Sequence, residues 1–196
     1  MKLVASCKIS NQGVFLNSKL VPNTKSTETN WKKELYTKTG VTYPKFYKMD
    51  ALAKLAFLSY SYLDKALKTE SYADNDIALL FANAASSKTT DLKYIESYKE
   101  KGSPSPSLFV YTLPNILTGE LSILNKWYGE NVFFIEEKFD PEFYLEQINF
   151  YFSKGAKGVL AGWVESNDTN EECFLFFVEN NGNELTIEEL TNLYKS

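Results

Sequence analysis

The chain has 196 residues, of which 44% are hydrophobic and 23% charged, and its formal net charge is −4. This length and composition predict a single globular domain over residues 1–196. No apolar run approaches the roughly 18 to 20 residues that a membrane-spanning helix needs, so we expect a cytoplasmic protein without membrane insertion.

The basic residues are unusual, because all 21 are lysines and the chain contains no histidine. This composition excludes Ser-His-Asp and Cys-His nucleophile pairs, histidine metal sites and guanidinium clamps for phosphate. The lysines are scattered among acidic residues, so we expect no basic face for nucleic acid. Asp74, Asp76 and Asp91 lack the spacing of a calcium loop, and we expect neither a cofactor nor a metal.

The amino-terminal third of the chain predicts strands followed by a core helix. Residues 1–21 alternate loosely around Gly13, which is typical of a strand or a bent hairpin. Residues 22–48 are polar and rich in Thr and Lys, and we expect an irregular surface insertion there. Asp50 then precedes an apolar stripe over residues 52–67 with helical spacing, which predicts a helix that packs on the core.

The remaining segments alternate between strands and helices. Residues 76–83, DIALLFAN, form a continuous apolar run typical of a strand buried on both faces. A polar and then helical segment leads to three prolines in SPSPSLFVYTLPNILTG, residues 103–119, and a helix is predicted from about residue 115. ENVFFIEE, residues 130–137, is predicted to be a strand.

The last segments predict a helix, a strand hairpin and a short terminal helix. Asp140-Pro141 favours a helix start, with the aspartate as the cap and the proline in the first turn. GVLAGWVE and ECFLFFVE predict two strands joined by the turn sequence SNDTNE. Residues 186–189, TIEE, match a capping box. The whole pattern predicts an α/β fold, a mixed sheet with helices on both faces.

Single reactive side chains have simpler structural interpretations. Cys7 and Cys173 lie in apolar, strand-like segments, which favours reduced core thiols over a disulfide or a nucleophile. Glu136 and Glu137 are adjacent on a strand and point to opposite faces, so they cannot act on one substrate together. Asp140 is explained by helix capping alone.

Four segments carry a resemblance to a known family. They are MDALAKLAFLSYSYLDKAL, DIALLFANAASSKTTD, SPSLFVYTLPNILTGELSI and GAKGVLAGWVE. Over residues 45–180, their order resembles the amino-terminal half of a β-ketoacyl synthase, one of the thiolase-like condensing enzymes. The chain is most similar to the short synthase-like proteins of bacterial aryl-polyene and flexirubin pathways. The resemblance implies a thiolase-like half-fold.

The resemblance also locates the position of the family's nucleophile. In active condensing enzymes a cysteine occupies the turn between a strand like ENVFFIEE and the following helix, and the matching residues here are Lys138, Phe139 and Asp140. No cysteine lies there, and the two histidines of the family's carboxy-terminal half have no counterpart. Condensation needs a thiolate and a group that stabilises the developing enolate, so we expect no catalytic residues.

The family's dimers imply an interface and a structural turn. They associate through the strand before the nucleophile, here Val132, Phe133, Phe134 and Ile135. The resemblance implies that Pro114 and Asn115 set the start of a buried helix and that Gly119 allows close packing, although a simple helix start is equally compatible. A half-size domain would also leave uncovered the face that the second half buries.

The resulting hypothesis is a noncatalytic ketosynthase-like accessory subunit, or chain-length-factor-like subunit, of fatty acyl or polyketide biosynthesis of the aryl-polyene type. Its expected partner is a full-length ketosynthase or a second copy of the chain, with an acyl carrier protein as a further candidate. Two alternatives remain open: a cryptic acyl-thioester decarboxylase or hydrolase that uses carboxylates or tyrosines, and a homodimeric binding protein without acyl chemistry.

Overall fold

The computed structural model describes residues 1–10, 12–25, 30–167, 170–182 and 185–196. In this part of the chain the strands form one sheet. The strands are β1 (Lys2–Ser10), β2 (Gly13–Leu16), β3 (Lys19–Leu20), β4 (Ile77–Asn83), β5 (Asn131–Ile135), β6 (Gly158–Ser166) and β7 (Glu171–Glu179). Their order in the sheet is β3-β2-β1-β7-β6-β4-β5. Strand β4 is parallel to both β5 and β6, and the other neighbours are antiparallel, so the sheet is mixed.

Helices cover both faces of this sheet. They are α1 (Trp31–Thr39), α2 (Ala51–Leu63), α3 (Lys88–Lys101), α4 (Pro106–Val110), α5 (Ile116–Asn125), α6 (Pro141–Ser153) and α7 (Ile187–Lys195), with short 3₁₀ turns at Pro44–Lys48, Asp64–Ala66 and Thr69–Ser71. Side chains of α1, α2 and α5 join one apolar cluster, and those of α6 and α7 join a second one across the sheet. The predicted α/β fold with helices on both faces is confirmed.

The central strands are buried on both faces, as their continuous apolar sequence predicts. Every residue of β4 and of β6 is buried. Alternate side chains of β4 enter different clusters: Leu79 and Phe81 face α2, whereas Leu80 and Ala82 face α6. Burial of large aliphatic side chains from two directions fixes the register, because a slip of one residue would exchange the faces.

The predicted helix caps are confirmed. The Asp50 carboxylate accepts a hydrogen bond from the Ala53 amide at 2.9 Å, at the start of α2. The Asp140 carboxylate accepts from the Glu142 amide at 3.0 Å, at the start of α6. A capping box between residues 186 and 189 begins α7. These caps satisfy amides that lack a partner in the first helical turn.

The expectation of an irregular surface insertion over residues 22–48 is wrong for most of the described part. Residues 31–39 form helix α1 and residues 44–48 form a 3₁₀ turn, and Leu35, Tyr36 and Phe46 are buried. The Tyr36 and Phe46 rings stack with centroids 4.2 Å apart. These three buried side chains join the core cluster beneath α2 and hold a segment whose local sequence is polar. Residues 26–29 of the insertion lie outside the described residues.

Candidate functional site: an edge strand and the turn after it

Among the described residues, strand β5 lies at one edge of the sheet and pairs with β4 alone. The Leu79 amide donates to the Glu130 carbonyl at 2.8 Å, and the Glu136 amide donates to the Asn83 carbonyl at 2.9 Å. The backbone groups of successive residues in a strand point to opposite sides. Since Glu130 and Glu136 bond to β4, the even-numbered residues between them also face β4 and the odd-numbered residues face the other way. The amides and carbonyls of Asn131, Phe133 and Ile135 therefore point away from the sheet.

The four predicted interface residues differ in exposure. Val132 and Phe134 pack on the cluster beneath α6, and Phe133 packs on the cluster beneath α2. All three are half-buried, whereas Ile135 is 53% exposed. The structure thus places the four residues together on the edge strand, with their side chains anchoring the strand and its backbone open to a partner.

Phe139 fills the turn at which the family resemblance predicts the nucleophile position. Its ring is buried and contacts the rings of Tyr144, Phe174 and Tyr194, with centroids 5.1, 5.5 and 4.2 Å away. Lys138 is exposed, and Asp140 is engaged as the cap of α6. The turn precedes helix α6, and its side chains supply a buried apolar ring and a helix cap.

Neither cysteine belongs to the apolar cluster that contains Phe139. Cys7 and Cys173 are free and buried, as predicted, and both belong to the cluster beneath α2, whereas Phe139 lies across the sheet in the other cluster. Burial raises the pKa of Cys7 to about 12 and the pKa of Cys173 well above its usual value. A buried thiol that stays protonated near neutral pH is a poor nucleophile.

Buried tyrosines and carboxylates are engaged in structural hydrogen bonds. The Tyr144 hydroxyl donates to the Gly162 carbonyl at 2.7 Å, and burial raises its pKa well above the usual value. The carboxylate of Glu165 accepts from the Ala84 amide at 3.0 Å and from the Asn167 side chain at 3.3 Å. These bonds hold the turn after β4 against the end of β6.

A second buried carboxylate anchors the proline-rich segment. The Glu120 side chain, on α5, accepts a hydrogen bond from the Tyr111 hydroxyl at 3.0 Å, and its other oxygen lies 2.8 Å from the Lys45 ammonium. Burial is the main cause that raises the pKa of Tyr111 above its usual value, with the Glu120 charge second. This contact ties the 3₁₀ turn and the turn before α5 to one helix. Sequence reasoning missed it, since the partners are far apart in the chain.

The predicted turn residues have simpler roles than expected. Pro114 and Asn115 precede α5, and the Asn115 carbonyl accepts from the Thr118 and Gly119 amides at 3.1 and 3.2 Å. The Asn115 side chain makes no capping bond. A methyl group placed on Gly119 would meet no atom within 4 Å, so the expected close packing is wrong. The segment begins a helix, and its anchor is Tyr111.

Helices α6 and α7 form the outer layer on one face of the sheet. Helix α7 packs beside α6, and its Leu190 is fully buried. On α6 itself the exposed positions are mainly polar, including Glu142, Glu146 and Asn149, with Phe150 the one large apolar exception in that helix. Two amphipathic helices with a polar exterior form a solvent-facing layer.

The described residues contain neither a cluster of metal ligands nor a membrane-spanning helix. Among the residues that the structure describes, no three His, Cys, Asp or Glu side chains lie together as metal ligands would. In that part of the chain, no helix is both long enough and apolar enough to span a bilayer.

The fold of this chain matches solved structures of ketosynthases and chain length factors, and the predicted thiolase-like fold is confirmed. A structure of the ketosynthase ApeO in complex with its chain length factor ApeC, from Xenorhabdus doucetiae, contains a chain that matches with a TM-score of 0.61 and 12% identity. The match covers 93% of this chain and 80% of that chain.

Two further structures have the same fold. The ishigamide ketosynthase/chain length factor matches with a TM-score of 0.63 and 12% identity, over 91% of this chain and 61% of that one. The structure of AntDE:AntF, a type II polyketide synthase acyl-carrier protein in complex with its ketosynthase bound to the hexaketide, matches with a TM-score of 0.62 and 13% identity. That match covers 91% of this chain and 62% of the other.

The present chain therefore spans about three-fifths of the length of these last two matched chains. At 12–13% identity the similarity concerns the fold. No protein-family model matches the sequence, and no curated protein matches it.

Proposed function

We propose that this chain is a noncatalytic ketosynthase-like accessory subunit, of the chain-length-factor type, that associates with a full-length ketosynthase in fatty acyl or polyketide biosynthesis. We assign it to the aryl-polyene type of pathway on its resemblance to the short proteins of those pathways. The proposal treats residues 1–196 as one domain that acts in the cytoplasm.

The proposal rests on two features found together: the unpaired edge of strand β5 and the buried Phe139 in the turn before α6. Strand β5 offers outward backbone groups at Asn131, Phe133 and Ile135, while the turn that follows it holds a buried phenylalanine. A condensing enzyme needs a nucleophile at that turn, and a pairing subunit needs only the strand. Phe139 lacks any group that could accept an acyl chain.

The outward groups suit an antiparallel strand from the partner. In an antiparallel pair, every second residue exchanges both of its backbone hydrogen bonds with the opposite strand. Asn131, Phe133 and Ile135 have this spacing, with Phe133 at the centre of the strand. Pairing there would join the sheets of the two subunits into one continuous sheet.

The matched structures support the choice of partner. One of them is described as a ketosynthase in complex with its chain length factor, and another contains an acyl-carrier protein in complex with its ketosynthase. By analogy we propose a full-length ketosynthase as the partner of this chain and an acyl carrier protein as a further, transient one.

The test is co-expression of the chain with a full-length ketosynthase from the same organism, followed by measurement of the mass of the purified species. Wild type should elute as a one-to-one complex. Ile135→Lys should prevent it, because a charged, flexible side chain on an edge strand opposes pairing. Ile135 is a better site for this test than Phe133 or Phe134. Those two side chains are half-buried, and a charged residue there would disturb the core.

The matched control is Ile187→Lys, the same substitution at a site on α7 that is 49% exposed. This variant should retain the complex. Failure of wild type to bind the ketosynthase, or equal binding by both variants, would contradict the proposal. A species containing two copies of this chain and no ketosynthase would support the homodimeric alternative in its place.

A further inference from the structure

Helix α3 has its apolar residues on the wrong side for a helix that packs on a core. Leu92, Ile95 and Tyr98 recur at a spacing of three residues and are all exposed, whereas Thr90 and Ser97 are buried. In a surface helix of a globular protein the apolar stripe faces the core. The inverted pattern indicates that the apolar stripe of α3 serves a contact outside this chain.

Helix α4 and the turn after it extend the same surface. The Tyr94 and Phe109 rings lie with centroids 5.8 Å apart and join the two helices. Beside them, Pro104 and Pro106 border a shallow apolar groove of about 230 Å³. We call residues 88–113 the arm. Its exposed apolar side chains, each between 45% and 57% exposed, are Leu92, Ile95, Tyr98, Phe109, Val110 and Leu113.

The arm is attached at the end of the sheet where β4 and β5 terminate. Helix α3 follows β4 directly, and the Ser87 hydroxyl at its start donates to the Thr112 carbonyl. The Thr89 hydroxyl donates to the Ser166 carbonyl at the end of β6, and the Thr90 hydroxyl donates to Asp50. These polar bonds fix the base of the arm. Its exposed apolar side chains contribute to neither core cluster, whereas the buried Tyr111 belongs to the cluster beneath α2.

A partner that paired with β5 alone would bury too little surface for a stable complex. The strand has five residues, whereas specific interfaces bury about 800 Å² on each partner and involve about 20 to 30 residues a side. The partner must therefore contact additional surface around β5. The arm stands at the carboxyl end of β5 and carries six exposed apolar side chains.

We propose that the arm is a second docking surface for the same ketosynthase partner, which contacts β5 with its own edge strand and covers the apolar side of α3 and α4. The inference rests on the proposed function, because it takes the partner from there. The exposed charges on α3 are of both signs, with Lys88, Lys93 and Lys99 beside Glu96. They favour a partner surface with an apolar centre and charged groups of both signs around it.

The experiment places a photoreactive benzoylphenylalanine at Phe109 of the full chain, in complex with the ketosynthase. The control carries the same probe at Phe150, a residue of α6 that is 50% exposed. Helix α6 packs on the second apolar cluster, across the sheet from the cluster that holds Tyr111 of the arm. Illumination should cross-link the Phe109 probe to the ketosynthase and leave the Phe150 probe without this product. In parallel, Ile95→Lys should weaken the complex by about tenfold or more, as loss of a central apolar anchor does.

The outcomes separate this inference from the proposed function. If the complex forms and Ile135→Lys disrupts it, while the Phe109 probe gives no cross-link and Ile95→Lys binds like wild type, the arm proposal is overturned and the edge proposal stands. If Ile95→Lys weakens a complex that Ile135→Lys leaves intact, the arm is the docking surface and the edge is not. If no complex with the ketosynthase forms, both proposals fall.

Discussion

The ring of Tyr194 lies flat against the ring of Phe139, with centroids 4.2 Å apart and planes 23° from parallel. Phe139 occupies the turn before α6, and Tyr194 comes from the last turn of α7. The Tyr194 hydroxyl donates to the Glu172 carboxylate at 2.8 Å. The Lys8 ammonium donates to the backbone carbonyl of Tyr194. Helix α7 thus packs over the turn before α6.

The ring contact with Phe139 predicts that substitutions at Tyr194 lower the stability of the protein. Tyr194→Ala should lower the free energy of unfolding by about 2 kcal/mol, because it removes a half-buried ring from an aromatic cluster. Tyr194→Phe keeps the ring and loses only the bond to Glu172, at a cost of about 1 kcal/mol. Urea denaturation followed by fluorescence measures both. Equal midpoints for wild type and Tyr194→Ala would show that α7 is not fixed on this cluster.

Two glycines should respond in opposite directions to the same substitution. A methyl group on Gly162 would come within 2.3 Å of Leu175 and 2.8 Å of the Phe81 ring, so Gly162→Ala should destabilise the fold by about 1 to 3 kcal/mol. Gly119 lies in α5 with open space around it, and Gly119→Ala should stabilise the protein by up to about 1 kcal/mol.

Thermal melting of the two alanine variants checks this pair. A loss of stability in Gly119→Ala would restore the original expectation that this glycine is needed for close packing. A neutral Gly162→Ala would mean that β6 and β7 approach each other less closely than the structure indicates.

The cysteines should be inaccessible to thiol reagents in the folded protein. Both are fully buried, and burial raises the pKa of each above its usual value. A colorimetric disulfide reagent at pH 8 should therefore label neither thiol in native protein and both after unfolding in denaturant. Rapid labelling of one thiol in native protein would reopen the assignment of a cysteine nucleophile.

Asp50 should reduce stability as the pH rises. Burial is the main cause that raises its pKa in the folded protein above the usual value of 3.8, against hydrogen bonds from Ala53 and Thr90 that lower it. Between these two pKa values the folded state binds more protons than the unfolded state, so the free energy of unfolding falls with increasing pH. This loss begins near the unfolded pKa and is complete above the folded one.

Asp50→Asn tests this dependence, because asparagine caps a helix about as well as aspartate and carries no charge. The variant's stability relative to wild type should increase through that pH range and then level off. Asp50→Ala is the control. It should be less stable than Asp50→Asn at every pH in this range, because alanine cannot accept the capping bond from the Ala53 amide. A constant difference between Asp50→Asn and wild type from pH 3 to pH 7 would show that burial does not raise this pKa.

Local sequence was sufficient for the parts of the fold that depend on local chemistry. The apolar run of β4, the stripe of α2 and the cap at Asp140 predicted their elements, because burial on both faces, helical periodicity and capping each leave a contiguous pattern. The family resemblance added the order of the segments. Together they predicted the sheet, the helices on both faces and the absence of a thiol at Phe139.

Contacts between distant segments could not be read in the same way. Helix α1 has a polar sequence, and only its packing on Phe57 and Phe46 shows that Tyr36 belongs to the core. The spacing of Leu92 and Ile95 is also that of an ordinary buried helix face, and only the folded structure shows that they are exposed. The placement of β5 at the sheet edge is a property of the topology, which no short window of sequence contains.

The most direct test of the account is a condensation assay with radiolabelled malonyl thioester and an acyl-primed carrier protein. The purified chain alone should form no carbon–carbon bond, and a full-length ketosynthase from the same organism should form elongated product when this chain is added. Elongated product from the isolated chain would contradict the account, since neither Phe139 nor the buried thiols could then explain the chemistry.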